Sequence, residues 1–192
     1  MDWQSQSIIR VLRFSNFMTN IADVSSLRKF ALTVDFYKQN AVDAAKNLLG
    51  KKIILGERQG IIIETEAYRG EDDPASHGHR GLTKRNAAMF SSPGNLYIYI
   101  CYGIHHCLNI VVEEEGQAAA VLIRAIKTNN AIINGPGKVC KYLHISMQHN
   151  FKSLLNGDEI YITQSVMPVR ILTTNRIGIS KAKDKLWRFI MG

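Results

Sequence analysis

Leu96-Tyr97-Ile98-Tyr99-Ile100-Cys101-Tyr102-Gly103-Ile104-His105-His106-Cys107-Leu108-Asn109-Ile110-Val111-Val112 is the stretch that decides the fold. Residues 97–100 alternate aromatic and β-branched side chains, flanked by Leu96 and Cys101. That is the pattern of a strand with Tyr97, Tyr99 and Cys101 on one face. Tyr102-Gly103 interrupts the run and residues 104–112 resume it, so the two halves read as a β-hairpin with a tyrosine near its tip. Upstream, residues 52–55 and 60–66 read as two strands joined by a turn over 57–60. Before them, residues 35–49 carry Ala41, Ala44, Ala45, Leu48 and Leu49 at helical spacing, and Gly50 follows where a helix would end. Downstream, residues 118–126 read as a further strand. Asn134-Gly135-Pro136-Gly137 introduces a helix over 138–143, and Gly157-Asp158 is a turn between later strands. The sum is an α+β chain: a single mixed domain with a mainly antiparallel sheet.

Composition narrows the partners. A chain of 192 residues supports one real core. With 46% hydrophobic and 21% charged residues, wholesale disorder is excluded. A formal net charge of +8 favours an anionic partner, most simply nucleic acid. Cys101, Cys107 and Cys140 are too few and too unevenly placed for a disulfide framework, which fits a reducing compartment. No apolar run approaches the roughly 20 residues of a membrane span, so no membrane partner is expected. Residues 1–30 mix Arg10, Arg13, Arg28 and Lys29 with apolar residues and lack a continuous signal-peptide core. They are expected to be a loose extension before a domain over 31–192, with Met18 as an alternative start and a transit peptide as the other reading.

Several residue groups bear chemistry. Glu64 and Glu66 end an apolar strand and share a face by two-residue alternation. A carboxylate there is desolvated unless paired. It is either poised for acid–base work or bonded to a neighbouring loop or arginine. Arg124, at the end of its own strand, is a natural partner for such a carboxylate. Residues 68–85, rich in glycine and poor in apolar side chains, form a long loop of the kind that carries function. Tyr68, Tyr97, Tyr99 and Tyr102, with His77 and the basic residues Arg80, Lys84 and Arg85, suit either packing or stacking on bases. Cys101, His105, His106 and Cys107 are metal-ligand types, but their spacing matches no standard zinc pattern and adjacent strand residues point apart, so no metal is expected. Gly135-Pro136-Gly137-Lys138 is either a plain helix entry or a phosphate-binding helix start. Six basic residues between 170 and 188 (Arg170, Arg176, Lys181, Lys183, Lys185, Arg188) read as a phosphate-facing surface or a solvated face.

Taken in order, Glu64-Thr65-Glu66-Ala67-Tyr68, Ala75-Ser76-His77, Thr83-Lys84-Arg85-Asn86, Met89-Phe90, Pro93-Gly94, residues 97–103, Cys107-Leu108-Asn109, Leu122-Ile123-Arg124-Ala125 and residues 135–140 resemble the alkyladenine (3-methyladenine, or N-methylpurine) DNA glycosylase family. The resemblance covers roughly residues 34–189. It implies a curved sheet with flanking helices and a protruding hairpin that inserts into DNA. It implies a monofunctional hydrolase with no metal or cofactor, acting as a monomer on double-stranded DNA that contains damaged purines. Such an enzyme works in the cytoplasm with the nucleoid in a bacterium, or in the nucleus of a eukaryote. By the same resemblance Glu66 is the general base, Arg124 holds its water, and Tyr68, His77 and Tyr99 line the base pocket. Asn109 lies beneath the base and obstructs guanine, Tyr102 enters the minor groove, and Arg85, Gly135 and Lys138 meet the DNA backbone.

Overall fold

In the computed structural model, strand alternation distributes the side chains of the hairpin as the sequence reading requires. Strands β3 (Leu96–Cys101) and β4 (His105–Val111) pair antiparallel, with Tyr97 opposite Asn109 and Tyr99 opposite Cys107. Leu96, Ile98, Leu108 and Ile110 belong to the main apolar core. Tyr97 and Val111 belong to a second, smaller cluster, against which Tyr99 packs. Residues 28–156, 159–168 and 170–192 are described; the extension expected before residue 28 and the turn expected at Gly157-Asp158 lie outside them. The chain divides into a unit over 1–30 and a unit over 31–192. Of the first, only a single 3-10 turn, Arg28–Phe30, is described.

The second unit is an α+β domain. Besides two 3-10 turns, Ala87–Phe90 and Met147–His149, its remaining elements are helices α1 (Val34–Tyr37), α2 (Ala41–Leu48) and α3 (Pro136–Leu143) and strands β1 (Lys52–Leu55), β2 (Arg58–Tyr68), β5 (Ala120–Lys127), β6 (Ile132–Asn134), β7 (Ile160–Thr163), β8 (Ile171–Thr174) and β9 (Arg188–Met191). Among the described residues the nine strands form one curled antiparallel sheet, ordered β3-β4-β5-β2-β1-β7, with β6 on β5 and β8 on β9. β2 is the axis. β5 covers one edge along most of its length, while the other edge is shared by β1 at one end and β9 at the other. None of the described helices is long and apolar enough to cross a membrane.

Two local readings are corrected. The helix expected over 35–49 is two helices, because Asn40 leaves helical geometry (ψ 140) and its side chain accepts the Val42 N–H as an N-cap. The turn expected at 57–60 is tighter: Leu55 already pairs with Arg58, leaving Gly56 and Glu57 as the whole connection. The buried face of α2 is nonetheless the one the spacing marks, Ala41, Ala44, Ala45 and Leu48. It packs with Ile53, Ile62, Val121 and Ile123 in the main core. Each large aliphatic side chain fully buried there contributes about 1.5–3 kcal/mol.

A paired irregularity in β2 and β5 places the chemistry. The register slips between Ile62 and Glu64 and again between Glu64 and Thr65, so that Ile63 and Arg124 have no direct partner across the ladder. Ile62 therefore faces the core, and so do Thr65, whose hydroxyl donates to the Ala45 carbonyl of α2 at 2.8 Å, and Ala67. Simple alternation from Ile62 would have buried Glu64 and Glu66 in the apolar core. The bulge turns both to the opposite face and re-aims Arg124 at them.

Candidate active site

On that opposite face, two buried carboxylates share one arginine. Glu64 is 7% exposed and Glu66 has no exposed surface. Arg124 donates through Nε to Glu64 Oε1 at 3.0 Å and through Nη1 to Glu66 Oε2 at 3.3 Å. Arg188 of β9 adds a 2.7 Å bond from Nε to Glu64 Oε1. The Tyr68 hydroxyl donates to Glu66 Oε2 at 2.8 Å, and the Ile177 N–H donates to Glu66 Oε1 at 2.7 Å. Burial pushes the Glu66 pKa up. Arg124, the Ile177 amide, the Tyr68 hydroxyl and Arg188 oppose that without cancelling it. The result is a basic carboxylate, held in place at both oxygens. Burial and the neighbouring Glu66 carboxylate raise the Tyr68 phenol well above its ordinary range, so Tyr68 remains a donor.

Tyr68, Arg124 and Ile177 are also walls of a cavity of about 420 Å³. That is within the range of small-ligand sites. The other walls include His77, the strand residues Tyr97, Tyr99, Asn109 and Leu122, and the exposed Arg85 and Tyr102 at the rim with Pro136. Glu66 thus sits directly behind the wall rather than in the open space. His77 stands edge-on to Tyr99, with ring centroids 4.7 Å apart, and its Nδ1 is 2.8 Å from the Tyr97 hydroxyl. Partial burial and the Arg85 charge lower the His77 pKa, which favours the neutral ring. Burial raises Tyr97 to about 12, so the hydroxyl beside that ring stays protonated.

Asn109 is 3% exposed, and its amide nitrogen donates to the carbonyls of Tyr97 (3.0 Å) and Cys107 (3.2 Å). Both partners can only accept, so the NH₂ is fixed towards the strands and the side chain cannot rotate away without losing two bonds. Cys107 also lines the cavity; burial lifts its thiol to about 11, which keeps it protonated and inert. Among the described residues, no group of three or more histidine, cysteine or acidic side chains is placed to hold a metal ion.

At the hairpin tip the Ile104 N–H closes a turn on the Cys101 carbonyl, with positive φ at Tyr102 (50°) and Gly103 (74°). A glycine accepts that geometry; a tyrosine is strained by it. Tyr102 is 86% exposed. Arg85 is exposed at the cavity rim, Gly135 is the N-cap of α3 with φ 110°, and Lys138 is exposed in the first turn of that helix.

The basic stretch over 170–188 is not one surface. Arg176 is buried against Asp73, Arg188 is committed to Glu64, and Lys185 lies 3.7 Å from Asp72. Arg170, Lys181 and Lys183 remain exposed. Sequence reasoning therefore missed Arg188, Arg176, Asp73 and the Ile177 amide as parts of the site. Only Asp73 had a local signal, the Asp73-Pro74 pair that begins a turn: its carboxylate accepts the Ala75 N–H at 3.2 Å.

A family model described as methylpurine-DNA glycosylase (MPG) matches residues 35–192. A protein of Ehrlichia chaffeensis is 48% identical over 168 residues, 84% of this chain and 93% of its own length. One of Sodalis glossinidius is 46% identical over 161 residues (82% and 95%), and one of Rickettsia felis 43% identical over 160 residues (82% and 90%). All three are provisionally named 3-methyladenine DNA glycosylase.

Proposed function

The chain belongs to the methylpurine-DNA glycosylase family, a family of hydrolases that act on DNA, and from that premise we propose that it removes alkylated or deaminated purines of the 3-methyladenine, 7-methylguanine and hypoxanthine class from duplex DNA, as the first step of base excision repair. The observation that carries this reading is Glu66: a carboxylate of raised basicity fixed by Tyr68 and Arg124 immediately behind an aromatic-walled cavity.

A purine inside the duplex cannot reach such a cavity, so the nucleotide is turned out of the stack at a cost of about a few kcal/mol. Tyr102, exposed at the hairpin tip beside the cavity rim, fills the vacated space. The extruded base lies among Tyr68, His77 and Tyr99, where stacking returns about 1–3 kcal/mol. The three rings are not equivalent. The Arg176 guanidinium already lies 4.7 Å from the Tyr68 ring. A cationic base such as an N-alkylated purine therefore gains more from Tyr99 and the neutral His77 than from Tyr68. Asn109, locked by its two backbone bonds, presents a rigid surface at the cavity floor against the exocyclic amino group of guanine.

As the glycosidic bond breaks, the sugar carbon gains oxocarbenium character. Glu66 takes the proton of the attacking water, and its charge, with that of Glu64, stabilises the developing cation. Arg124 orients the water and pairs with both carboxylates. A cationic alkylpurine departs as the neutral base, hypoxanthine takes up a proton from solvent as it departs, and the hydroxyl left on the sugar carbon makes the abasic site. Single-lesion duplexes test this directly: free 3-methyladenine or hypoxanthine appears with the wild-type chain, whereas tight binding to abasic DNA with no release of any modified base refutes the enzymatic reading.

A further inference from the structure

Arg176 and Asp73 form an ion pair with both side chains fully buried. The geometry is a fork: Nη1 to Asp73 Oδ2 at 2.6 Å and Nη2 to Asp73 Oδ1 at 2.7 Å. Nη1 also donates to the Ala67 carbonyl at 2.9 Å. The guanidinium lies 4.7 Å from the Tyr68 ring centroid and 5.2 Å from that of Trp187, and its buried Nε has no hydrogen-bond acceptor. Asp73 in turn accepts the backbone N–H groups of Arg69 and Ala75.

Stability alone is a poor reason to hold such a pair out of water, since well-packed apolar replacements are often neutral or stabilising. Its connections suggest another reason. Three backbone stretches meet at this fork: residues 67–68, residues 73–77 and residues 176–179. Each supplies wall to the cavity, through Tyr68, through Ala75 and His77, and through Ile177, Gly178 and Ile179. The residue after Arg176 is the one whose N–H donates to Glu66.

We propose that Arg176 and Asp73 are positioning residues of the excision site: their fork holds the three stretches as walls of one cavity and aims the Ile177 N–H at Glu66. This rests on the function proposed above. Lysine cannot replace the arginine, because a point charge on a flexible stem does not reproduce a planar fork that also stacks on two rings. The Ile177 N–H is one of the contacts that restrain the Glu66 pKa, so its loss moves the acid limb of the reaction to higher pH.

The test uses Arg176→Lys, Asp73→Asn and the neutral apolar pair Asp73→Leu with Arg176→Met. The single substitutions lower Tm, and the apolar pair regains it. In all three, single-turnover base release at saturating protein falls by about 100-fold, the scale of a displaced catalytic geometry. Their acid limb moves up, and the affinity for undamaged duplex stays at the wild-type value. Recovery of wild-type rate and acid limb together with Tm in the apolar pair overturns the proposal, and so does a wild-type rate in Arg176→Lys at a temperature where that variant is folded. A second readout needs no turnover and no variant at the ion pair. In the wild-type chain the ¹⁵N shift of the Ile177 amide titrates with an inflection above the ordinary glutamate range, and Glu66→Gln abolishes it. A flat Ile177 titration also overturns the proposal. A wild-type chain that releases no base sinks the function while leaving this titration to judge the positioning.

Discussion

Replacing Glu66 by glutamine tests the chemistry most directly, and the structure sets both the size and the sign of the effects. Losing a positioned general base costs about 10²- to 10⁴-fold in rate, or about 2.7–5.4 kcal/mol at 1.36 kcal/mol per tenfold. The fold faces a separate change. Glu66 Oε2 accepts from Tyr68 and Arg124, and Oε1 accepts from the Ile177 N–H. Glutamine has one acceptor oxygen. Arg124 can only donate, so the oxygen stays on that side and the NH₂ meets the Ile177 N–H, at a cost of about 1–3 kcal/mol for the unsatisfied donor. Against this, burial holds the Glu66 pKa above the ordinary value of 4.5. The folded state therefore binds the proton more tightly than the unfolded chain. Below pH 4.5 both states are protonated and this contribution to stability is fully present; as pH rises towards the raised folded value it is lost. Glutamine has no such dependence. The Tm difference, variant minus wild type, should grow more positive from pH 4 to pH 7. Single-turnover release of hypoxanthine from duplex DNA, abasic-site affinity and thermal melts across that range measure all three effects. Full activity in a folded variant removes Glu66 as the base, and a Tm difference that falls as pH rises removes its raised pKa.

Three further substitutions separate other parts of the site. Tyr102→Gly removes an exposed side chain from a backbone of φ 50°; relief of about 1 kcal/mol raises Tm by about 2–4 °C. Excision from duplex DNA meanwhile falls by about 5- to 150-fold, the loss of one stacking contact of about 1–3 kcal/mol. Unchanged excision removes the wedge role. Asn109→Ala strips a donor pair from the Tyr97 and Cys107 carbonyls and should destabilise by about 1–3 kcal/mol in denaturant melts. It should also make guanine release from undamaged DNA detectable, and failure to see guanine while lesions are still excised ends the exclusion argument. Gly135→Ala meets no atom within 4 Å but must adopt φ 110°; the backbone strain alone should cost about 1–3 kcal/mol and weaken DNA binding. An unchanged Tm contradicts that geometry.

Local periodicity made much of this architecture legible. The alternation of residues 96–101, the apolar face of α2 and the proline-opened helix α3 are each written within a few residues, and the structure places them within a residue or two of the reading. The roles of Glu66, Tyr68 and Arg124 came from the resemblance, whereas composition and spacing favoured a structural ion pair. What escaped the sequence is long-range. Alternation counted from Ile62 is wrong at Glu64, because the bulge exists only when β5 is laid beside β2. Arg176 and Arg188 look like solvent-facing cations until segments more than 100 residues apart meet. The break at Asn40 was local and visible, since an asparagine before an apolar face is a helix start as readily as a helix interior.

The burial of Glu66 and its chemistry constrain each other. A carboxylate presents about four acceptor positions, and Tyr68, Arg124 and Ile177 occupy one each. Those three donors draw the Glu66 pKa down against its burial, so each favours the ionised form that a base requires. One position remains, on Oε1 beside the Ile177 bond. A water that is to lose its proton to Glu66 has that position alone, beside the Ile177 N–H. The arrangement leaves Glu66 room for one oriented water and keeps that carboxylate out of contact with bulk solvent. On the function proposed above, damage recognition at the aromatic walls and activation of water at Glu66 are joined through one short segment, Ile177 to Ile179, which lines the cavity and donates the Ile177 N–H to the carboxylate.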